Sequence, residues 1–329
     1  MSEILVTGGA GYIGSATCKH LKKIGYQPVA IDSLVTGHRQ AVQWGPLFEG
    51  SLEDTALLDD IFTRHRPAAV MHFAASCYVN ESVRDPLKYY RNNVAATTCL
   101  LDAMCRHHVT SIIFSSSCAT YGEPVELPIT ETHVQNPINP YGRSKLMIEQ
   151  ILKDMDAVHG LRYVSLRYFN AAGADPEGRI GEDHQPEPHL IPLVLQTALG
   201  RRENIHIFGD DYPTRDGTCV RDYIHIDDLA RAHLLALVRL MDGRSSAIYN
   251  LGNGGGYSVR EVIDTAREVT GQPIPATIAK RRAGDPAELI SSSEKALTEL
   301  GWKPEFTKLR DIIATAWEWH QRHPDGYVD

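Results

Sequence analysis

Short apolar runs take turns with longer amphipathic stretches through the first half of the chain. Residues 4–7, 29–31, 69–73, 111–115 and 163–167 are strand-length runs rich in Ile, Val, Leu and aromatic side chains. Between them, residues 15–24, 55–65, 87–107 and 143–158 repeat apolar positions at helical spacing. Runs without polar alternation belong to strands covered on both faces. Strands joined through helices are parallel, with right-handed crossovers. The pattern therefore predicts an α/β fold with helices on both sides of a parallel sheet, and a ligand site beyond the carboxyl ends of its strands.

The rhythm changes after Asn170. Residues 171–189 are rich in Gly, Pro, Glu and His and read as a long loop, a length that in compact domains is functional or disordered. A helix is expected over 192–199, strands over 205–208, 222–225 and 247–251, and a helix over 227–238. Gly252–Gly256 reads as a turn. Ser258 is placed to cap the next helix, with Glu261 completing a capping box and the helix running through 269. A last helix is expected near 310–320. There is no internal repeat and no low-complexity tract. The architecture predicted is a Rossmann-like doubly wound sheet over residues 1–170, with returning segments near 222–251, and a smaller mixed α/β substrate-binding domain over 171–329.

Composition narrows the function. The 329 residues are 43% hydrophobic and carry a net charge of −8, with no long Lys/Arg block. That balance argues against nucleic acid or an anionic membrane as partner. No apolar run reaches the roughly 18 residues of a membrane span, and Met1 leads straight into a strand, so a cytoplasmic protein is expected. Six cysteines are scattered without a Cys-x-x-Cys pair and read as reduced, small apolar side chains.

The first strand runs into Thr7-Gly8-Gly9-Ala10-Gly11-Tyr12-Ile13-Gly14, which opens the first helix. Strand, glycine turn and helix in this order form a dinucleotide-binding signature: small residues admit a pyrophosphate, and the helix N-terminus offers it free N–H groups. Gly8, Gly11, Tyr12, Ile13 and Gly14 are the candidate cradle. The second strand ends at Asp32, placed to hydrogen-bond an adenosine ribose 2′-hydroxyl. A 2′-phosphate would meet like charge there, so NAD is the cofactor expected.

Tyr141 and Lys145 form a Tyr-x-x-x-Lys pair. On a helix the two project from one face. An ammonium about 4 Å from a phenol, at an effective dielectric of about 20, is worth roughly 3 pKa units, so Lys145 is expected to bring Tyr141 toward a tyrosinate near neutral pH. Such a group takes a proton from a sugar hydroxyl. Ser117 ends the run Ser115-Ser116-Ser117 and is the hydroxyl chosen to bond the reacting oxygen. His107-His108 and the run Glu182-Asp183-His184-Gln185-Pro186-Glu187-Pro188-His189 raise the question of a metal. They read as hydrophilic loop residues, and no metal is expected. Gly254-Gly255-Gly256 lacks a following Lys-Ser/Thr and is not a second phosphate loop.

These motifs resemble the extended short-chain dehydrogenase/reductases, and among them the nucleotide-sugar 4-epimerases that act on hexoses. The resemblance runs through Val6–Gly14, Phe114–Ser117, Asn139–Lys145, Arg167–Gly173, Asp216–His225, Arg281–Asp285 and His323–Tyr327, nearly the whole chain. It implies Tyr141 as base, Lys145 as the group tuning it and Ser117 as the bridge to the sugar. Phe73, Ala74, Asn92 and Phe169 would line the cofactor site, with Ser51 and Leu52 at the adenine end. Asn170, His189, Leu190, Arg221, Arg282 and Asp285 would hold a UDP-sugar, and Phe208 would stack on uracil. Leu289 would border the sugar C2 substituent and disfavour N-acetylated sugars. The implied activity is NAD-dependent interconversion of UDP-glucose and UDP-galactose, by oxidation at C4, rotation of the 4-keto sugar and re-reduction. A homodimer through a four-helix bundle of residues 87–107 and 143–158 is also implied.

The chain departs from the family at Gly50-Ser51-Leu52, where Gly-Asp-Ile is common, at Cys77 in place of a lysine, and at His189 in place of an asparagine. The segment Ser117–Gly122 also resembles UDP-arabinose 4-epimerases, so UDP-arabinose/UDP-xylose interconversion is the alternative. A dehydratase would need an Asp-Glu pair where Cys118-Ala119 stand. A non-catalytic NAD-binding regulator would be expected to lose Tyr141 or Lys145.

Overall fold

A computed structural model describes residues 2–282 and 285–328. Six strands of the first half form one parallel sheet: Glu3–Thr7 (β1), Gln27–Asp32 (β2), Leu47–Glu49 (β3), Ala69–His72 (β4), Ser111–Ser117 (β5) and Arg162–Tyr168 (β6). The helices among them are Tyr12–Lys23 (α1), Thr55–His65 (α2), Val79–Arg84 (α3), Pro86–Tyr89 (α4), Ala96–Arg106 (α5) and Pro140–His159 (α6). The second half comprises Asn170–Ala172 (β7), Leu190–Ala198 (α7), Ile205–Phe208 (β8), Val220–Arg221 (β9), Tyr223–His225 (β10), Ile226–Met241 (α8) and Ala247–Leu251 (β11). Tyr257–Ser258 (β12), Val259–Thr270 (α9), Ala276–Ala279 (β13), Glu288–Leu289 (β14), Glu294–Glu299 (α10) and Leu309–Arg322 (α11) complete it.

The main sheet has the order β11-β6-β5-β4-β1-β2-β3. The chain winds outward in both directions from β1 and β4, so a crevice opens beyond their carboxyl ends. Strand pleating sends alternate side chains to opposite faces. Ile4 and Val6 pack with Cys18 and Leu21 of α1 and Leu229 and Leu237 of α8. Leu5 points the other way, to a core of Val29, Ile31, Leu58, Phe62, Leu100, Met104, Ile148 and Leu152 beneath α2, α5 and α6. A third core joins α7, α9 and α11 through Val194, Ile263 and Ile313. It supports the later part of the chain over the same crevice.

Several expectations are corrected. The helix expected over 87–107 is interrupted. Asp85 caps α4 with Pro86 at its first position, and residues Tyr90–Ala95 form a π-helical turn before α5. The strand expected over 222–225 is β10, one residue shorter and paired with β7, and it is preceded by a short strand that was not expected, β9, which pairs with β12 and β14. Of the two later strands expected near the first sheet, only β11 joins it, beside β6. The edge strand β3, three residues long, carried no periodic signal. The capping box at Ser258 and Glu261 is present, as expected. Among the described residues no helix is long and apolar enough to cross a membrane.

Candidate active site

The glycine turn is held by close approach. Gly8 has φ +71°, and a Cβ there would lie 2.7 Å from the Ala74 nitrogen. A Cβ on Gly14 would lie 2.1 Å from the Gly8 carbonyl oxygen. No side chain caps α1 at Gly11, so its leading N–H groups are left for a ligand. Asp32 is fixed at the end of β2, where its Oδ2 accepts from the Ala10 N–H at 2.9 Å and its Oδ1 from that of Leu34 at 2.9 Å. Burial raises its pKa, and those two donors oppose the rise. A cradle that any Cβ would fill, with a buried carboxylate one strand away, fits a dinucleotide. Phe73 and Ala74 follow β4 at the crevice, and the Ala74 N–H donates to the Thr7 carbonyl. Leu52 is buried, Ser51 is exposed with its Oγ accepting from Glu53, and Asn92 donates to the Asn93 side chain.

Across the crevice, α6 starts at a side-chain cap: Asn139 Oδ1 accepts from the Gly142 N–H at 2.8 Å, and Pro140 takes the first helical position. Gly142 is required there, because a Cβ would stand 2.3 Å from the Ala119 carbonyl oxygen. This contact presses Tyr141 toward the end of β5. The three serines of β5 divide as strand alternation dictates. Ser116 turns inward and donates to Glu149 at 2.6 Å; Ser115 bonds the Tyr168 hydroxyl at 2.6 Å; Ser117 accepts from Ala119 and borders Tyr141. Tyr141 and Lys145 are both buried.

The expected electrostatics of the pair are corrected. Burial pushes the Tyr141 phenol well above its ordinary pKa, with the Ser117 hydroxyl opposing the rise. Lys145 is anchored on the strand rather than on the phenol. Its Nζ donates to the Ser115 carbonyl at 2.8 Å and sits 5.9 Å from the phenol ring centre. Burial instead lowers Lys145 to about 8.

The later blocks gather on the far side. Arg221 donates to Asp285 at 2.8 Å, and the Arg282 guanidinium lies 3.8 Å over the Phe208 ring. The Asn170 side chain donates to the Asp222 carbonyl, which fixes its amide beside β9. Leu289 pairs in register with Arg221 and packs against the cluster of Tyr121, Ile129 and Phe169. Ala283 and Gly284 of the Arg281–Asp285 block lie outside the described residues. Leu190 opens α7, and His189 directs its Nδ1 to Glu182 at 2.6 Å. The run 182–189, read as hydrophilic loop, buries both its glutamates against histidines.

The model for the NAD dependent epimerase/dehydratase family matches residues 4–252. The chain belongs to that family. The UDP-glucose 4-epimerase of Halalkalibacterium halodurans is 56% identical over 324 residues, 98% of this chain and 97% of that protein. A crystal structure of a UDP-glucose 4-epimerase superposes with a TM-score of 0.98 at 52% identity, covering 100% of both chains. The UDP-glucose 4-epimerase of Brucella ovis, solved in complex with NAD, gives 0.95 at 51% identity over 97% of this chain and 98% of that one. The family is NAD-dependent, and the glycine cradle and Asp32 fit that cofactor.

Other residues of this family member were not singled out by sequence. Asn93, fully buried in the π-helical turn, donates to Ser144 of α6 and to the Ser76 carbonyl and accepts from the Ser76 N–H, tying the crevice floor to the helix that carries Tyr141. Such π-helical turns recur at functional sites. His72 spans Thr7 and Thr97 at 2.7 and 2.8 Å, and burial, with a smaller push from Lys145, lowers it to about 3, so it is a neutral strut. Asp222 accepts from the N–H groups of Asn253, Gly254 and Ser291 and from the Ser291 hydroxyl. The turn over 252–256 is thus held by a carboxylate, consistent with its reading as a turn.

Proposed function

We propose that this NAD-dependent enzyme is an isomerase that interconverts UDP-glucose and UDP-galactose. One observation carries the reading. A buried tyrosine, with a lysine one helical turn on and a serine at the adjoining strand end, faces the glycine cradle in a chain 56% identical to a UDP-glucose 4-epimerase. NAD, held by the glycine cradle and Asp32, would supply the hydride acceptor for the sugar C4 and the donor for its return, with no net redox change. Tyr141 takes the C4 hydroxyl proton, relayed or oriented by Ser117, and gives it back after the sugar has turned. Lys145, anchored on the Ser115 carbonyl, holds positive charge beside the crevice. The nucleotide half rests on Asn170, Arg221, Arg282 and Asp285: guanidinium groups match a diphosphate, and Asp285 accepts from ribose hydroxyls. Phe208 offers its ring to uracil once Arg282 turns to phosphate. Residues 1–170, with β11 and α8, form the NAD-binding unit, and most of 171–329 the sugar-nucleotide unit.

Six free thiols suit the reducing cytoplasm, and we place the enzyme there. We also propose a homodimer through α5 and α6, whose outer faces carry apolar side chains. The purified protein should interconvert the two hexoses without added reductant. Tyr141→Phe should lower kcat about 10²- to 10⁴-fold with NAD retained. No turnover of either hexose with NAD present overturns the reading. Preference for UDP-xylose and UDP-arabinose would move the assignment to pentoses.

A further inference from the structure

The loop between β7 and α7 gathers four ligating side chains. Glu182, His184, Glu187 and His189 each offer one donor atom, and the four atoms lie within 4.8 Å of one another. The carboxylates are shut away from water: their side chains are 5% and 4% exposed. His184 Nδ1 stands 3.4 Å from Glu182 Oε1 and 3.4 Å from Glu187 Oε2. His189 Nδ1 stands 2.6 Å from Glu182 Oε1 and 3.3 Å from Glu187 Oε1. A separate observation points to a ligand. His184 Nδ1 is sealed from solvent, aimed between the two carboxylates, and makes no hydrogen bond. A tetrahedral zinc with bonds of about 2.0–2.1 Å has its ligand atoms about 3.3–3.4 Å apart. His184 Nδ1 stands at that length from both Glu182 Oε1 and Glu187 Oε2, and the 2.6 Å contact of His189 with Glu182 opens as the ion replaces the shared proton.

We propose that Glu182, His184, Glu187 and His189 form a closed zinc site that staples the loop over 173–189. Two neutral imidazoles and two carboxylates are a borderline-to-hard donor set, and four protein ligands with no open position make a structural site. Two carboxylates cancel the charge of the ion, which suits a buried position. The His189 N–H donates to Glu187 Oε1 at 2.9 Å and so orients one ligand from behind. The ring of His189 is half-exposed and gives the ion a way in.

The staple has a definite place in the fold. Ile180, two residues before the first ligand, packs on Ala16, Ile226 and Ala230. The Tyr12 hydroxyl donates to the Gly173 carbonyl at 2.6 Å, and Asp183 accepts from the Tyr327 N–H at 2.8 Å. The loop thus runs from the glycine cradle to the C-terminal segment. The rival arrangement is a cluster of ion pairs in which both imidazoles are protonated.

The test uses the full-length protein with its NAD, freed of metal by a chelator and titrated with zinc chloride against a chromophoric competitor. One zinc per chain should bind saturably, and cobalt(II) should show the intense ligand-field bands of a tetrahedral site. His184→Ala should weaken zinc by more than about 100-fold, beyond the 10- to 100-fold that loss of an outer partner costs. His189→Gln, at the half-exposed ring, gives the same reading if the first variant does not fold. Chelation should also speed tryptic cleavage after Arg179, whose side chain is 53% exposed within the loop. Equal weak binding by wild type and His189→Gln, pale octahedral cobalt, or cleavage indifferent to chelation each overturns the proposal in favour of the ion-pair cluster.

Discussion

At Lys145, burial and chemistry act on the same proton. Its folded pKa, lowered to about 8, lies below the ordinary lysine value of 10.5. Below pH 8 the folded chain carries the ammonium; between 8 and 10.5 the unfolded chain binds a proton that the folded one has released. This group therefore makes folding more favourable as pH rises through that window, while the charge beside Tyr141 is lost. The two consequences separate by experiment: kcat/KM should fall above about pH 8, and Lys145→Met should be slow throughout and lack that limb. A profile of wild type unchanged to pH 10 would show that Lys145 is not the titrating group. Leu289 is the second decisive position. It packs against the cluster of Tyr121, Ile129 and Phe169 that Cys118, next to Ser117, also joins, and we propose that its isobutyl group borders the space a sugar would turn in. Leu289→Ser should raise kcat/KM for UDP-N-acetylglucosamine relative to UDP-glucose by about 10-fold or more, the scale on which hydrophobic pockets discriminate by size. Faster turnover of the acetamido sugar by wild type would sink this argument. Both residues were visible in the sequence. The sign of the Tyr141 shift was not, because spacing on a helix gives direction but neither the depth of burial nor the carbonyl that holds the ammonium 5.9 Å from the ring centre.

Among the elements, β5, β6 and α6 depend on one buried ion pair. Arg167 Nε and Nη2 donate to the Glu149 carboxylate at 2.9 and 2.6 Å, both side chains being nearly inaccessible. Ser116, Gln135 and Tyr121 complete the network. Removal of one member leaves a charge stranded in the core, so Glu149→Gln should destabilise the fold by about 3–5 kcal/mol. Asp102→Asn, at the exposed pair with Arg106 on α5, should change it by less than about 1 kcal/mol. Equal shifts in melting temperature for the two variants would contradict the assignment. This network marks the limit of what local pattern conveys. Strands with unbroken apolar runs and helices with clear periodicity were legible: α2, β8 and β11 have the bounds expected of them. Glu149 and Arg167 sit in those same elements as ordinary charged residues, and only the fold brings them together. The short strand β9 was illegible for a related reason. Two residues carry no pattern of their own, and their partners β12 and β14 lie far along the chain, where the Asp222 carboxylate also accepts from Asn253, Gly254 and Ser291.

For the molecule as a whole, the unexplained surface lies on α5 and α6. Along α6 the exposed positions include Arg143, Gln150, Lys153 and Asp154 and two large apolar side chains, Met147 and Val158, 41% and 76% exposed. Ile151 and Met155 share a groove with Thr98, Leu101 and Cys105 of α5. The neighbouring α4 adds Leu87, 60% exposed. Exposed apolar side chains beside a groove between two neighbouring, parallel helices have the form of an isologous interface, in which each copy offers the same surface to the other. The catalytic helix would then also be the interface helix, since Tyr141 and Lys145 are buried on one side of α6 while Met147 is exposed and Ile151 is part-buried at the groove with α5. The wild-type protein should sediment at twice its 36.5 kDa chain mass at micromolar concentration. Met147→Glu with Ile151→Glu places two like-charged carboxylates per copy against their own images across the dyad, and should return the mass to 36.5 kDa with the circular dichroism unchanged. A wild-type protein of single mass, or a doubly substituted one that keeps the doubled mass, would rule out α6 as the dimer face.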